Sequence, residues 1–287
     1  MKPDAGRKRQ AGRRFLDRLG NSVEAIIDGS GIMAVFAHPD DETIAIGGHL
    51  PRLPGIRLLH VTDGAPAGMA DALANGFSRR EDYAAARKRE LAAAVAMAGI
   101  PAEALLPLGA ADQTVAFQMP ELTRSLAATF HGSQTRTVIT HAYEGGHPDH
   151  DATAHIVHAA CRLLEERGAA APEIVECPLY HSRCGNWTAQ DFALRPHPGG
   201  REIRIALTPE RAQGKQRMLW AHASQHRTLA RFTCAVECFR PAPRYDFAGL
   251  PNGGELLYER FDWGLDGKTW LCLAEEARRE LGLPRWF

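Results

Sequence analysis

Two short polar motifs carry residue types that bind metal ions. The first, His38-Pro39-Asp40-Asp41-Glu42, directly follows an apolar run. Pro39 suits the first turn of a helix, so His38 and Asp41 lie about one turn apart and both can point at one ion. Imidazole and carboxylate are ligands that zinc accepts, and iron(II) binds a similar set. Asp40 can then approach the open side of the ion without being a ligand.

The second motif, Gly145-Gly146-His147-Pro148-Asp149-His150, repeats the order of strand, His-Pro-Asp and helix. Its two glycines allow a close backbone approach or a positive φ angle. A simpler interpretation is that the aspartates of both motifs cap helices. Two such motifs after two parallel strands argue against it, because both strand ends open onto the same edge of a sheet. Together the motifs supply a mixed set of imidazole and carboxylate ligands.

Other histidines are weaker candidates. Two of them, His155 and His158, follow on the same predicted helix, where ordinary buried or exposed histidines are far commoner than ligands. Four more are candidates for the edge of a site: His141, His181, His222 and His226.

Alternating apolar runs and periodic segments must position these motifs. The predicted strands cover 32–37, 56–62, 104–108, 137–142 and 173–180, and the predicted helices 43–53, 78–99, 120–131, 149–167, 209–222 and 269–281. In the second helix, Ser78 and Glu81 form a candidate capping box and Gly99 a candidate C-terminal glycine. Residues 65–77 are predicted to be a loop. Strands that alternate with helices indicate an α/β fold with a mostly parallel sheet, covered on both faces.

Composition indicates one packed domain. Of 287 residues, 45% are hydrophobic and 24% are charged, which excludes general disorder. We expect a basic N-terminal extension over about 1–22, a core over about 30–230 and an irregular C-terminal elaboration over about 231–287. The N-terminal extension is expected to be a frayed, solvated tail.

Charge and hydropathy limit the partners. Lys plus Arg and Asp plus Glu number 34 each, so no net field favours nucleic acid or an anionic membrane. No apolar run reaches the roughly 20 residues of an integral membrane segment, and a secretory signal is lacking, which predicts a cytoplasmic protein. The six cysteines form no CxxC pair and are interpreted as free thiols, with a local Cys234–Cys238 pair as the alternative. Nothing in the sequence indicates an oligomeric state.

The two motifs resemble those of the PIG-L/LmbE-like zinc-dependent N-deacetylases. AHPDDE at 37–42 and GGHPDHDAT at 145–153 occur in the family's order and separation, and the resemblance spans about residues 30–230. It implies a Rossmann-like fold in which His38, Asp41 and His150 hold zinc.

The resemblance also implies roles for other residues. Asp40 corresponds to the general base that takes a proton from a metal-activated water, and His147 assists at the oxyanion or the leaving group. Asp149 is placed to orient His147, as carboxylates beside catalytic imidazoles commonly do. Arg87 and Asp112 match positions that hold substrate in relatives.

The predicted function is therefore zinc-dependent hydrolysis of an N-acetyl (N-acyl) group on an amino sugar, such as N-acetylglucosamine, or on its glycoconjugate. Trp187, Trp263 and Trp270 are candidates for stacking on a sugar ring. The tyrosine that assists in some relatives is replaced here by Gly145, with Tyr143 nearby. Two alternatives stay open: an amidase acting on a related thiol- or sugar-conjugate amide, and a non-catalytic metal-binding protein of Rossmann-like fold. A nucleotide-binding protein is disfavoured, since HPDDE and not GxGxxG follows the first strand.

Overall fold

The computed structural model describes residues 11–21, 26–193, 201–261 and 263–285. Its strands are β1 Ile32–Phe36, β2 Arg57–Pro66, β3 Leu105–Asp112, β4 Thr137–His141, β5 Glu173–Cys177, β6 Tyr180–Arg183, β7 Asn186–Ala189, β8 Ile203–Ala206 and β9 Val236–Pro241. Its α-helices are α1 Ala11–Gly20, α2 Asp41–Ile46, α3 Ala70–Ala74, α4 Arg80–Ala96, α5 Met119–Gly132, α6 Pro148–Glu166, α7 Pro209–Ala221, α8 His226–Leu229 and α9 Gly267–Glu280.

Seven of these strands form the central sheet, in the order β3-β2-β1-β4-β5-β9-β8. The first five in that order pair in parallel, whereas β9 pairs antiparallel with both β5 and β8. Strands β6 and β7 form a separate hairpin. The mostly parallel α/β sheet predicted from the sequence is thus confirmed.

Strand β1 lies between β2 and β4, so the strand order reverses direction between β1 and β4. The register pairs Ile32 with Thr137 and Ala34 with Ile139. In doubly wound sheets a crevice opens at such a reversal, beyond the carboxyl ends of the strands. The two polar motifs follow β1 and β4, and therefore meet at this crevice.

Helices cover both faces because the side chains of each strand alternate. Met33 and Val35 pack into a core with α5, α6 and α9. Ala34 and Phe36 pack into a second core on the other face, with α1, α2, α4 and α7. The short buried runs noted in the sequence are thus strands covered on both sides.

Several predicted elements differ in extent from the structure. Strands β2 and β3 each end four residues later than predicted, at Pro66 and Asp112. The predicted helix over 43–53 ends as α2 at Ile46, and a 3₁₀ turn, Leu50–Arg52, follows. The predicted loop over 65–77 contains the short helix α3. The strand predicted over 173–180 ends at Cys177, since Pro178 has no N–H to continue the ladder.

The predicted capping box at the start of α4 was wrong. The helix begins one residue later than such a box would require, with Arg79 at the N-cap and no side-chain capping bond. The expected C-terminal glycine is confirmed, because Gly99 adopts φ 76° just after the helix.

Helix α1 corrects the expectation of a solvated N-terminal tail. Phe15, Leu16 and Leu19 are buried against the sheet, because the apolar residues of this helix lie along one face. The N–H of Gly12 donates to Glu173 at 2.7 Å, which fixes the helix to β5. The remaining parts of the predicted extension, 1–10 and 22, lie outside the described residues.

The C-terminal segment is closely joined to the core. Strand β9 belongs to the central sheet, and the Trp270 indole on α9 is buried against the start of α6. Glu237 on β9 accepts a 2.8 Å hydrogen bond from Lys215 on α7 and lies 2.5 Å from the His49 ring; all three side chains are buried. The expected boundary near residue 230 thus falls between two elements of one sheet. The last tryptophan of this C-terminal segment, Trp286, lies outside the described residues.

Two further expectations concern the whole chain. All six cysteines are free thiols, so Cys234 and Cys238 are not bonded to each other. Among the described residues, every helix is too short or too polar to pass through a lipid bilayer.

Candidate metal centre and surrounding cavity

The two motifs meet at the crevice between β1 and β4. His38 and Asp40 lie in the turn from β1 into α2, which begins at Asp41. His147 is the N-cap of α6, and His150 lies in the first turn of that helix. Asp40 forms no side-chain capping bond. The capping interpretation of the motifs therefore has no support at Asp40.

Three side chains converge on one point. His38 Nδ1 lies 3.2 Å from His150 Nε2 and 3.3 Å from Asp41 Oδ2, and His150 Nε2 lies 3.4 Å from Asp41 Oδ1. All three residues are buried. Ligand bonds of about 2.0–2.1 Å in a tetrahedral zinc site separate neighbouring ligand atoms by roughly 3.3 Å. The donor set and its spacing thus fit a divalent metal.

His141 offers an alternative ligand, since a ring nitrogen of His141 also lies close to Asp41 and His150. However, His141 Nε2 accepts the N–H of Ala37 at 2.8 Å, which occupies its lone pair. Its ring stacks on that of His150, with centroids 4.1 Å apart. This geometry gives His141 a supporting position and favours His38 as the third ligand.

The other nitrogen of His38 faces two carboxylates. Its Nε2 lies 3.0 Å from Asp112 Oδ1 and 3.5 Å from Asp149 Oδ2. A histidine that binds a metal through one nitrogen commonly donates from the other to a carboxylate, which orients the ring. His38 Nε2 and Asp112 Oδ1 lie close enough for such a contact, although the two atoms are not aligned as a hydrogen bond. The substrate contact expected for Asp112 stays a prediction.

Charges around the site favour a deprotonated ligand carboxylate. Burial would raise the pKa of Asp41, but His150 and His38 beside it hold that pKa well below its usual range. Metal ligands must be deprotonated to bind. Asp41 meets this requirement at neutral pH.

Asp149 has different neighbours from those expected. Its carboxylate accepts the N–H groups of Gln113 at 2.6 Å and of Val115 at 3.1 Å. Its contact with His147 runs through the backbone: the N–H of Asp149 donates to His147 Nδ1 at 3.1 Å. Within the described residues, no bond joins the carboxylate to His147. The peptide group of Asp149 thus orients the imidazole.

This contact assigns the tautomer of His147. Burial, with the nearby His38, lowers the pKa of His147 well below its usual range, so the ring is neutral. Because Nδ1 accepts a hydrogen bond, the proton of the neutral ring is on Nε2. One ring nitrogen of His147 lies within 4.8 Å of ring nitrogens of His38 and His150. His147 can therefore donate a hydrogen bond near the metal centre without being charged.

Asp40 lies beside the centre and is held from two sides. Arg87 donates to Asp40 Oδ2 at 2.9 Å and to Pro39 O at 2.7 Å. Glu42 Oε2 accepts the N–H of Asp40 at 3.0 Å and also lies 3.0 Å from His60 Nε2. Burial raises the pKa of Asp40 to about 8, against the opposing effect of Arg87. Arg87 thus contacts the expected base, and its expected contact with substrate stays a prediction.

A cavity of about 600 Å³ opens over these residues. Two of the three candidate tryptophans, Trp187 and Trp263, line it, whereas Trp270 is fully buried in the core. Tyr143 also belongs to the core, where its hydroxyl donates to Gly249 O. The cavity lining includes residues that sequence analysis did not select: Asp71, Gln113, Tyr180, Arg227, Arg231 and Phe261.

The other candidate histidines do not line the cavity. His155 and His158 pack against the aromatic core beneath α6, and burial lowers the pKa of each to about 3. His222 is buried 3.8 Å from Glu42, and His181 lies 3.5 Å from Glu144. His226 is exposed, and its ring contacts Trp220 O. None of the five therefore faces the metal centre.

Comparison with known proteins bears on the two motifs. A family model described as PIG-L, GlcNAc-PI de-N-acetylase, matches residues 33–161, a range that contains both motifs. The resemblance to this family predicted from the motifs is thus confirmed over that range.

Proteins similar to the chain include one curated relative and several solved structures. The probable N-acetyl-alpha-D-glucosaminyl L-malate deacetylase 2 of Bacillus anthracis is 33% identical over 143 residues, which cover 47% of this chain and 61% of the relative. A deacetylase–teicoplanin complex has a TM-score of 0.56 at 16% identity, with 75% of this chain and 98% of that chain covered. The zinc-inhibited form of a teicoplanin deacetylase has a TM-score of 0.54 at 15% identity, with 73% and 97% covered. These two structures share the fold.

Proposed function

We propose that this protein removes an N-acetyl group from an amino sugar or its glycoconjugate, with a divalent metal held by His38, Asp41 and His150. The observation that carries the proposal is the 3.2–3.4 Å spacing of these three ligands, beside a buried carboxylate, Asp40, that is not among them. The family description and the curated relative both name the de-N-acetylation of N-acetylglucosaminyl compounds, which supports this substrate class.

Zinc is the metal that we propose. The donors are two imidazoles and one carboxylate, and catalytic zinc sites use three protein ligands. Iron(II) binds the same donor types and is the alternative. When bound, the ion would act as a Lewis acid toward the amide carbonyl and acidify water.

Asp40 is the proposed general base. In its deprotonated form it accepts a proton from the water that attacks the amide carbon, and Arg87 at 2.9 Å stabilises that form. The neutral Nε2–H of His147 donates to the carbonyl oxygen as this oxygen gains negative charge. The carbon–nitrogen bond then breaks, and the amine leaves with the proton that Asp40 accepted. Acetate and the free amino sugar are the products.

Amine release and metal content test these roles together. The purified protein is incubated with a panel of N-acetylated sugars, and released amine is measured alongside bound metal. Asp40→Asn should retain metal and lose about 10²- to 10⁴-fold in kcat. His150→Ala and Asp41→Ala should lose metal. His131→Ala, at an exposed position on α5, is the matched control and should change neither quantity.

Several results would contradict the proposal. Near wild-type kcat in metal-bound Asp40→Asn would exclude Asp40 as the base. Turnover of cysteinyl amides alone would favour the amidase alternative. Metal binding without hydrolysis of any amide would favour a non-catalytic protein. Reconstitution with zinc or, without oxygen, with iron(II) separates the two metals by the rate that each supports.

A further inference from the structure

A row of planar side chains in contact with one another extends from the metal centre toward the protein surface. The edge of the Tyr180 ring packs against His150, with centroids 5.2 Å apart. Trp187 stacks on Tyr180 at 4.3 Å and an interplanar angle of 18°. The guanidinium of Arg231 lies 4.0 Å from the centre of the Trp187 ring. All four residues line the cavity, so this wall connects a proposed metal ligand to an exposed arginine.

Arg227, four residues before Arg231 in the chain, lines the same cavity and is also exposed. Within the ranges that the structure describes, neither arginine forms an ion pair with a carboxylate. Other arginines are paired: Arg80 with Asp63, and both Arg183 and Arg204 with Asp191. The two cavity arginines therefore keep donors available for a ligand.

The acidic residue at the cavity surface lies elsewhere. Asp71 is exposed, and the charged groups that act on it are Asp112 and Arg87. Asp71 is therefore near β3 and α4, whereas the guanidinium of Arg231 is at Trp187. Among the described side chains, Asp71 forms no ion pair with Arg227 or Arg231.

We propose that Arg227 and Arg231 bind a carboxylate or phosphate on the group attached to the amino sugar, an inference that rests on the proposed function. A guanidinium presents N–H donors in a fork that matches both anions, and an arginine stacked on an indole keeps the edge of that fork free. The N-acetyl group must lie at the metal centre, so the anion is on the opposite part of the substrate. Trp187 and Tyr180 provide the surface between the two ends.

The test compares three N-acetylglucosamine derivatives: the neutral methyl glycoside, the carboxymethyl glycoside and the 1-phosphate. Wild-type protein should deacetylate at least one anionic derivative with a higher kcat/KM than the neutral one, and the better anionic derivative identifies the anion. In Arg231→Gln and Arg227→Gln, kcat/KM for that derivative should fall about 10- to 100-fold, chiefly through KM. The loss of kcat/KM for the methyl glycoside should be smaller than the loss for the anionic derivative, and unchanged metal content and circular dichroism show that the fold and the metal centre are intact.

Arg217→Gln is the matched control, because it removes the same charge from an exposed position on α7 outside the cavity. It should leave all three substrates unaffected. Equal kcat/KM for neutral and anionic derivatives in the wild type, or an equal loss for both kinds in the cavity variants, would overturn the inference.

A binding measurement separates this inference from the proposed function. Calorimetry with Asp40→Asn protein and the same three compounds needs no turnover. One outcome is that binding depends on the anion and is abolished by Arg231→Gln, while the wild-type protein deacetylates none of the compounds. This outcome would overturn the deacetylase proposal and support the anion site. Deacetylation of all three compounds without preference, together with equal binding, would overturn the anion site alone.

Discussion

Asp40 has a backbone φ of 138°, in a region that residues with a Cβ rarely adopt. Neighbouring groups maintain this conformation. Glu42 accepts the N–H of Asp40, and Arg87 binds both its carboxylate and the preceding carbonyl of Pro39. Glu42 also accepts the Thr43 hydroxyl at 2.5 Å and contacts His60. The orientation of the proposed base thus depends on a buried glutamate that does not line the cavity.

Glu42→Gln should therefore lower kcat about 10- to 100-fold while metal content and KM stay near wild type. The neutral amide oxygen binds the N–H of Asp40 more weakly than a carboxylate does, and the amide NH₂ group cannot accept from the Thr43 hydroxyl that contacts the other oxygen of Glu42. Steady-state kinetics with metal analysis check the expectation. Wild-type kcat would show that Asp40 needs no such support, and loss of metal would instead assign Glu42 to the integrity of the ligand set.

Asp112→Asn tests the carboxylate behind His38. Loss of the charged acceptor 3.0 Å from His38 Nε2 should weaken metal affinity about 10- to 100-fold. Competition with a chromophoric chelator measures this affinity. Asp71→Asn, in the same cavity, should retain the wild-type affinity. A raised KM at unchanged metal affinity would instead support the substrate-holding role predicted for Asp112.

Among the elements, the turn between β4 and α6 tolerates least change. A Cβ on Gly146 would overlap the carbonyl oxygen of Tyr180, which is backbone and has little freedom to move. This turn carries His147 and leads into His150, so any shift reaches the metal centre. Gly146 thus serves packing against the β6–β7 hairpin, whereas Gly145, with φ 76°, serves the geometry of the turn.

Gly146→Ala should lower the free energy of unfolding by about 3 kcal/mol and reduce metal binding. Gly132→Ala is the control, since a Cβ at the end of α5 meets no atom within 4 Å. It should stay within about 0.5 kcal/mol of wild type. Denaturant titration and metal analysis of both variants provide the comparison, and equal stability of the two would remove the packing explanation.

For the whole molecule, buried neutral histidines link stability to pH. Burial lowers the pKa of His158 to about 3, whereas an unfolded chain titrates near 6.5. Between these values the unfolded state binds a proton that the native state does not, so stability falls as the pH falls through this window.

Replacing His158 should weaken this acid sensitivity. In His158→Leu, the loss in unfolding free energy from about pH 7 to about pH 5 should be smaller than in wild type by about 2 kcal/mol. Urea titration at the two pH values measures it. His131→Leu, at an exposed position, should show the wild-type difference. An unchanged pH dependence in His158→Leu would mean that this ring is already protonated in the native state.

The sequence predicted the parallel sheet and the convergence of both motifs, because strand ends in such a sheet share an edge. It did not indicate Tyr180, Arg227 or Arg231. Their positions depend on how the β6–β7 hairpin and the turn after α8 pack against the crevice. The hydrophobic periodicity of a single segment does not predict that packing. The roles of the proposed ligands and of Asp40 stay predictions. Helix α1 was missed because its many arginines masked a narrow apolar stripe.

The contact between Lys215 and Glu237 has a consequence for synthesis on the ribosome. When both motifs and α7 have emerged, Lys215 has no counter-ion, and β5 has no neighbour on its outer side. A buried ammonium without its partner is strongly unfavourable. A nascent chain that stops short of β9 therefore contains every proposed ligand but lacks the strand that pairs with β5 and β8. We expect such a fragment to bind chaperones and to have no enzymatic activity.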